Sequence, residues 1–295
     1  MERVKPNFLI VGAAKAGTTS LYHYLKQHPQ IFLAAIKEPQ FFVAEKVQNS
    51  LPQAIRSEDA YFDLFCGSGA FPMRGEASVF YLYYWEDAIP RIKHYLGDDT
   101  RIIIILRNPV ERTYSAYCHV YRHNPVESLD FPNALRTEEV RKQDTTISPM
   151  THYKSMGLYS NMVSAFRKNF KNVCIVFFDD LTLRPHFLLG EIQRFLGVEV
   201  LNLNSSERYN AGGTVWKSNI KKQVIKASLL RNLKMAARKN FSGIYCPLKE
   251  YVYNHWMKQP DSMDEDIRKE LLEFYRADII ALSHDLEIDL SHWLK

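Results

Sequence analysis

The chain has 295 residues, 46% of them hydrophobic and 24% charged, and its formal net charge at pH 7 is +5. This composition is that of an ordinary globular protein with a sizeable core, in one large α/β domain or two small ones. The mild positive charge favours an anionic ligand. It is well short of the dense basic runs of a dedicated nucleic-acid-binding protein, so we expect no nucleic-acid partner.

Neither a membrane span nor a leader is expected. No run of 18 or more apolar residues occurs, and the N-terminal residues lack the charged and apolar regions of a signal peptide. The four cysteines are widely spaced and fit no metal or disulfide pattern, which is typical of free thiols in a reducing compartment. The sequence therefore predicts a cytoplasmic protein.

The first predicted elements are a strand, a loop, a helix and a second strand. Residues 8–11 form an apolar run that Gly12 ends, as expected of a buried strand. Residues 18–25 have apolar side chains at helical spacing, and Pro29 follows the helix that they predict. Residues 31–33 are the next strand candidate.

Two longer strands follow along the chain. Residues 101–106 are a continuous, mostly β-branched run, which indicates burial on both faces in the centre of a parallel sheet, and residues 173–178 are a similar strand. Helices are predicted at 110–121, 188–196 and 264–282. Because strands alternate with helices, we predict an α/β fold with a central parallel sheet flanked by helices on both faces.

One domain over residues 1–295 is expected, with two stretches of different character. Residues 123–149 are polar and contain three prolines, which predicts a long surface excursion rather than a domain linker. Residues 217–239 predict a basic helix, whose charges fit a solvated helix face as well as a polyanion-binding face.

The loop after the first strand has the composition of a phosphate-binding loop. Residues 12–19 read Gly-Ala-Ala-Lys-Ala-Gly-Thr-Thr, with the glycine spacing of the Walker A motif. Small side chains let backbone N–H groups approach a phosphate, and the helix N-terminus adds partial positive charge. Position 18 is Thr, however, and Lys15 lies inside the loop. The same small residues also fit a plain strand-to-helix turn.

A second anion site is indicated where the strand at 101–106 ends. The strand runs into Arg107, expected at the carboxyl edge of the sheet where α/β proteins bind ligands, and Ser115 follows about two helical turns later. Taken singly, Arg107 fits a structural salt bridge and Ser115 a buried helix serine. A nucleotide kinase would carry an aspartate to hold Mg²⁺, so the sequence favours an anionic ligand bound without a metal.

Together the two motifs resemble those of sulfotransferases that use 3′-phosphoadenosine 5′-phosphosulfate (PAPS). Residues 12–19 resemble the family's 5′-phosphosulfate loop and residues 107–115 its 3′-phosphate motif, in the same order and at a matching separation. Residues 275–294 look like the closing helix of standalone bacterial members. The resemblance implies a P-loop-like fold, PAPS as the cofactor with 3′-phosphoadenosine 5′-phosphate (PAP) as the product, and no metal.

The resemblance also implies roles for individual residues. Lys15 would be catalytic, contacting the 5′-phosphate and the bridging oxygen of the sulfate as that bond breaks. Arg107 and Ser115 would bind the 3′-phosphate. Residues 209–217 look like a loop that closes over the nucleotide, although they also fit a Gly-rich turn. The implied cofactor contacts are Lys15, Ala16, Gly17, Thr18, Thr19, Ser20, Arg107, Ser115, Tyr159, Gly213 and Lys217.

The catalytic base is predicted to be Glu38. Residues 37–42, Lys-Glu-Pro-Gln-Phe-Phe, resemble the segment of heparan-type sulfotransferases in which a glutamate is the base. Phe41 and Phe42 are expected to form an apolar wall that raises the pKa of Glu38. Glu38 also fits a surface carboxylate paired with Lys37. A histidine base remains open at three positions, namely His23, His28 and His119.

The acceptor is expected to carry a hydroxyl or an amine, on a sugar because the Glu38 segment is heparan-like. A lipid, a sterol or a polyketide remains an alternative, as do two other functions, a P-loop kinase and a non-catalytic polyanion-binding module. Residues 79–85 are rich in aromatic side chains that fit either an acceptor pocket or core packing. Heparan-type enzymes carry a lysine that assists catalysis where this chain has Ala77.

Overall fold

The computed structural model describes residues 3–123, 127–207, 215–216, 257–258 and 260–295. A five-stranded sheet has the order β2-β3-β1-β4-β5, and each neighbouring pair in it is parallel. Its strands are β1 (Phe8–Gly12), β2 (Ile31–Leu33), β3 (Met73–Ala77), β4 (Arg101–Leu106) and β5 (Val173–Phe177). A separate antiparallel ribbon pairs β6 (Val215–Trp216) with β7 (Met257–Lys258).

Helices connect the parallel strands and flank the sheet, which confirms the predicted α/β fold. The helices are α1 (Thr18–Leu25), α2 (Glu58–Asp63), α3 (Phe80–Tyr83), α4 (Trp85–Leu96), α5 (Pro109–His123), α6 (Phe131–Arg136), α7 (Glu138–Gln143), α8 (Tyr159–Asn169), α9 (Phe178–Leu183), α10 (Pro185–Leu196) and α11 (Glu265–Leu286). None of the helices described is long and apolar enough to cross a membrane.

The neighbouring strands β1 and β4 are buried along most of their length because helices cover both faces of the sheet. Residues 8–11 of β1 and 102–106 of β4 have no exposed surface, and Ile10 pairs with Ile103 in parallel register. The prediction for β4 is therefore confirmed. The prediction that β5 is similarly buried was wrong: its one described neighbour is β4, and residues 173–175 are partly exposed. A β-branched run is compatible with an edge strand as well as a central one.

The polar segment at 123–149 is not the surface excursion that its prolines predict. It contains α6 and α7, and it buries an ion pair in which Arg141 donates to both carboxylate oxygens of Glu127, at 2.6 and 3.0 Å. The Tyr153 hydroxyl donates to the same carboxylate at 2.5 Å. Polar residues are interior here because they satisfy one another, which composition alone does not reveal.

The C-terminal helix α11 forms hydrogen bonds with residues of α5 and α8. The Asp278 carboxylate accepts hydrogen bonds from the backbone N–H of Tyr159 at 2.7 Å and of Ser160 at 3.1 Å, and from the Ser160 hydroxyl at 2.5 Å. The Tyr275 hydroxyl lies 2.7 Å from Thr113 Oγ1 on α5. One carboxylate thus satisfies free N–H groups at the start of α8 from a distant part of the chain.

We expect Asp278→Ala to lower the free energy of unfolding by about 1.5–3 kcal/mol. The substitution removes hydrogen bonds to a charged acceptor and leaves the N–H groups at the start of α8 without that partner. Urea denaturation followed by circular dichroism measures this. Asp285→Ala on the same helix is the matched control, since Asp285 pairs with Arg167 at a partly exposed site and should change stability by under about 1 kcal/mol. Equal effects of the two substitutions would contradict the assigned role of Asp278.

Candidate active site

The loop between β1 and α1 has the backbone of an anion-binding loop. Lys15 has φ of 69° and Gly17 has φ of 96°, so the chain turns through the left-handed region twice before α1 begins at Thr18. A Cβ on Gly17 would lie 2.8 Å from Leu181 Cδ2 and 3.0 Å from Phe178 Cδ2. Glycine is required there because of both its φ and the close approach of α9.

Lys15 lies in a cluster of positive charge. The pKa of Lys15 is lowered to about 8, first by burial and then by the neighbouring charges of Arg122 and Arg107, whereas the carboxylate of Glu38 acts to raise it. The order of these effects places Arg122 and Arg107 within electrostatic reach of one ammonium group. A bound anion would offset this repulsion, so the cluster suits a ligand with several negative charges.

Arg107 is held at the carboxyl edge of β4 by contacts on every side of it. Its guanidinium lies over the ring of Phe178 at 4.7 Å, donates to the Lys15 carbonyl oxygen at 3.4 Å and is 4.0 Å from the Glu111 carboxylate. Burial lowers the pKa of Arg107. The Tyr159 hydroxyl donates to the Arg107 carbonyl oxygen at 3.1 Å. The structure therefore places Tyr159 as a support of the Arg107 backbone.

Ser115 and the C-terminal turn complete this side of the site. Ser115 is partly exposed on α5, two turns beyond Arg107. Trp293 lies 6.4 Å from Tyr159 and 5.8 Å from Phe177 between ring centroids, and its carbonyl oxygen accepts from Asn108 Nδ2 at 3.4 Å. The tail of the chain is thus packed beneath the strand end that presents Arg107.

Glu38 is fixed by the end of β3. Its backbone N–H donates to the Ala77 carbonyl oxygen at 2.9 Å, and its φ of 64° turns it into the left-handed region. The carboxylate accepts from Lys37 Nζ at 2.5 Å and from Gln40 Nε2 at 3.4 Å. Gln40 has φ of 55°, and its N–H donates to Ser78 Oγ at 3.1 Å. Two strained residues are therefore held by consecutive positions of one strand end.

Phe41 and Phe42 belong to the core rather than to a wall around the carboxylate. The ring of Phe41 stacks on Tyr61 at 4.3 Å, and that of Phe42 meets Tyr81 edge-on at 5.3 Å. Both phenylalanines are fully buried. The groups that hydrogen-bond the Glu38 carboxylate are instead Lys37 and Gln40, so polar contacts shape its environment.

A cavity of about 600 Å³ opens beside Glu38. Polar and apolar side chains both line it, namely Lys37, Glu38, Gln40, Ser50, Leu51, Gln53, Ala54, Phe80, His119, Val120, Ser148 and Met150. Of the aromatic stretch 79–85, Phe80 lines this cavity, and Tyr81 is buried in the core. Within this stretch, Phe80 therefore contributes to the cavity and Tyr81 to core packing.

The candidate histidines differ in their surroundings. His119 lines the cavity together with Glu38. His28 is buried, and both of its ring nitrogens are engaged, with the Glu199 carbonyl oxygen at 2.8 Å and the Gln30 N–H at 3.0 Å. His23 is partly exposed on α1, and slight burial together with the charge of Lys26 lowers its pKa. Among the three, His119 is the one that shares a cavity with Glu38.

The buried carboxyl group of Glu76, in β3, was not identified from the sequence. It is fully buried, the Tyr61 hydroxyl donates to its Oε1 at 3.4 Å, and burial raises its pKa to about 7. Hydrogen bonds from Tyr81 and Ser78 act in the opposite direction, and the nearby charge of Glu38 raises the pKa further. Its place next to Ala77, between apolar strand residues, is the signal that could have identified it.

Some predicted residues cannot be placed. Gly213 and Lys217, as well as the basic stretch at 217–239, lie outside the described residues. Thr18 and Ser20 are buried at the start of α1, and Thr19 is partly exposed. In the part of the chain that the structure describes, no three His, Cys, Asp or Glu side chains are grouped as a metal site requires.

The fold and this site define an α/β protein with a P-loop-like anion-binding loop at the carboxyl edge of its sheet. The chain belongs to the sulfotransferase family, because the model of the sulfotransferase domain matches residues 5–226. The resemblance seen in the two motifs is thereby confirmed. Membership in this family also displaces the P-loop kinase alternative.

Individual relatives agree with this assignment. Human bifunctional heparan sulfate N-deacetylase/N-sulfotransferase 2 is 28% identical over 232 residues, covering 72% of this chain and 24% of that protein. The human enzyme numbered 3 in that series is 26% identical over 322 aligned residues, covering 98% and 31%. The chain thus spans about a quarter to a third of the length of these curated relatives.

A solved structure matches over the whole chain. The crystal structure of a sulfotransferase from Alicyclobacillus acidocaldarius has a TM-score of 0.76 and 29% identity, covering 99% of this chain and 100% of that chain. The fold is therefore similar to that of this sulfotransferase along nearly the whole of both chains.

The buried carboxyl of Glu76 makes stability depend on pH. The folded protein holds a proton up to about pH 7 that the unfolded chain releases near pH 4.5. This contribution to stability is therefore full below pH 4.5 and is lost as the pH rises through 7, with a slope of at most about 1.4 kcal/mol per pH unit. We expect Glu76→Gln to remove the slope.

Urea denaturation at about pH 5 and about pH 8 tests this expectation, and the variant should gain roughly 2–3 kcal/mol relative to the wild type between the two. Glu86→Gln, at an exposed position, is the control and should follow the wild type. An unchanged pH slope in Glu76→Gln would show that another group carries it.

Proposed function

We propose that the protein transfers a sulfuryl group from PAPS to a hydroxyl or amine of a carbohydrate, with Glu38 as the general base. The observation that carries the proposal is the coupling of Glu38 to Lys15: the carboxylate acts on the pKa of the loop lysine and also lines the cavity in which an acceptor would sit. Sulfuryl transfer requires a base for the acceptor and a cation for the leaving group, and these two groups are close enough to interact electrostatically.

The residues present fit PAPS. Lys15 and the N–H groups and hydroxyls at 16–20 would hold the 5′-phosphosulfate, and Arg107 with Ser115 would hold the 3′-phosphate. The lowered pKa of Lys15 and Arg107 supports this fit, because a pair of partly buried cations is stabilised by a polyanion. When bound, PAPS supplies the sulfuryl group and a 5′-phosphate leaving group.

The protein's own groups would then divide the work between the two sides of the transferred group. Glu38 takes the proton of the attacking hydroxyl or amine, which contributes roughly 10²- to 10⁴-fold in rate. Lys37 and Gln40 hold the carboxylate in place through their hydrogen bonds. Lys15 stays protonated and offers its charge to the phosphate oxygen that leaves.

The hydrogen-bonding groups that line the cavity support a sugar as the acceptor. Gln40 is 2% exposed and lines the cavity, and among the described residues its Oε1 has no hydrogen-bond partner. A buried acceptor atom of this kind favours a ligand that donates a hydrogen bond, as sugar hydroxyls do. Ser50, Gln53 and Ser148 add further polar groups with which a sugar hydroxyl can form hydrogen bonds. The matched human relatives carry heparan sulfate in their names.

Cofactor binding is tested by calorimetric titration with PAP in the absence of Mg²⁺, beside ATP. We expect binding that discriminates against ATP and weakens by roughly 10- to 100-fold or more in Arg107→Ala, because a charge-assisted contact to the 3′-phosphate is lost. Arg101→Ala, at the opposite end of the same strand, is the control and should bind PAP normally. Binding of ATP with Mg²⁺, and none of PAP, would overturn the proposal.

The role of the base is tested with Glu38→Gln, using labelled PAPS and a de-N-sulfated heparin oligosaccharide that offers both amines and hydroxyls. We expect kcat to fall roughly 10²- to 10⁴-fold while the Kd for PAP stays unchanged. The exposed Glu45→Gln should behave as the wild type. Full activity of Glu38→Gln, with loss of activity in His119→Gln, would move the base to His119.

A further inference from the structure

Helix α5 presents a line of functional groups to the site. Ser115, His119 and Arg122 are separated by four and three residues, which puts their side chains within about 60° of one another around the helix. His119 lines the cavity together with Glu38. Arg122 lies one turn beyond His119 and is partly buried. Arg122 therefore lies on the same side of α5 as His119.

Arg122 also acts on the loop lysine. Among the charges that lower the pKa of Lys15, that of Arg122 is the largest, ahead of that of Arg107. Arg107 contacts the Lys15 carbonyl oxygen at 3.4 Å and has Glu111 beside it at 4.0 Å. The charges of Arg122 on α5 and of Arg107 at the end of β4 thus both act on Lys15.

Among the described residues that line the cavity, Lys37 is the one lysine or arginine. Ala77, at the end of β3, is fully buried and uncharged. Lys37 is paired with Glu38 at 2.5 Å, so its charge is directed to the base. The sulfuryl group would lie between Lys15 and the Glu38 carboxylate, and its oxygens need donors that do not neutralise the base.

We propose that Arg122 is a further catalytic residue, which binds the oxygens of the sulfuryl group together with Lys15. This inference rests on the proposed use of PAPS. As Glu38 takes the acceptor proton, the acceptor atom bonds to sulfur, the bond from sulfur to the 5′-phosphate oxygen breaks, and its electron pair stays on the phosphate. Arg122 remains a cation throughout and donates N–H hydrogen bonds to the sulfuryl oxygens, for which a planar guanidinium is well shaped.

The comparison of PAP with PAPS isolates this contact, because the two nucleotides differ by the sulfuryl group alone. We expect Arg122→Ala to leave the Kd for PAP within about 3-fold of the wild type and to raise the Kd for PAPS by about 10-fold or more, measured by calorimetry without acceptor. Arg122→Lys should recover part of the PAPS affinity. Arg136→Ala, which removes an exposed arginine on α6, is the charge-matched control and should affect neither Kd.

A second measurement needs no ligand. The pKa of Lys15, followed by NMR of the labelled side chain, should rise in Arg122→Ala because a neighbouring positive charge is gone. If Arg122→Ala does not fold, as judged by thermal melting, Arg122→Gln replaces it in both experiments.

The outcomes separate this inference from the proposed function. Equal weakening of PAP and PAPS would make Arg122 a nucleotide-phosphate contact, and a raised KM for an anionic acceptor with both Kd values unchanged would make it an acceptor contact. Either result overturns the inference and leaves the proposed function intact. Failure of the wild type to bind PAP or PAPS would instead overturn the proposed function.

Discussion

The repulsion among cations at the carboxyl edge of the sheet is the constraint around which the site is organised. Lys15, Arg107 and Arg122 are close enough to lower the pKa of the lysine, and burial adds to the effect. Such a cluster is tolerated because Phe178 lies under the Arg107 guanidinium and Glu111 lies beside it. Glu111 is itself paired with Arg268 on α11. Arg268 adds a further positive charge and shares the carboxylate that faces Arg107, so the repulsion among these cations favours a polyanionic ligand.

The acceptor side depends on the geometry of one strand end. The carbonyl oxygen of Ala77 and the hydroxyl of Ser78 receive the N–H groups of Glu38 and Gln40, both of which have positive φ. Strain of this kind persists only where the surroundings fix it. Glu38 therefore lines the cavity because β3 holds its backbone, and the ring of Phe41, three residues further on, stacks on Tyr61 in the core.

The sequence was sufficient to predict a structural feature where that feature depends on contiguous residues. The run 12–19, the strand at 101–106 with Arg107, and the Glu38 segment are local patterns whose spacing determines their geometry. It was insufficient where a contact joins distant parts of the chain. Asp278 serves α8 from more than a hundred residues away, and the polarity of 123–149 gave no sign of the buried pair of Glu127 and Arg141.

The carboxyl groups of Glu38 and Glu76 differ because their environments differ. Glu76 has no exposed surface, and its pKa of about 7 means that it is neutral at lower pH. Of the two carboxyl groups, Glu38 is the one whose charge acts on the loop lysine. Glu38 is 34% exposed at its side chain and reaches the cavity. One carboxyl thus serves the core and the other the proposed chemistry, and burial rather than residue type decides which is which.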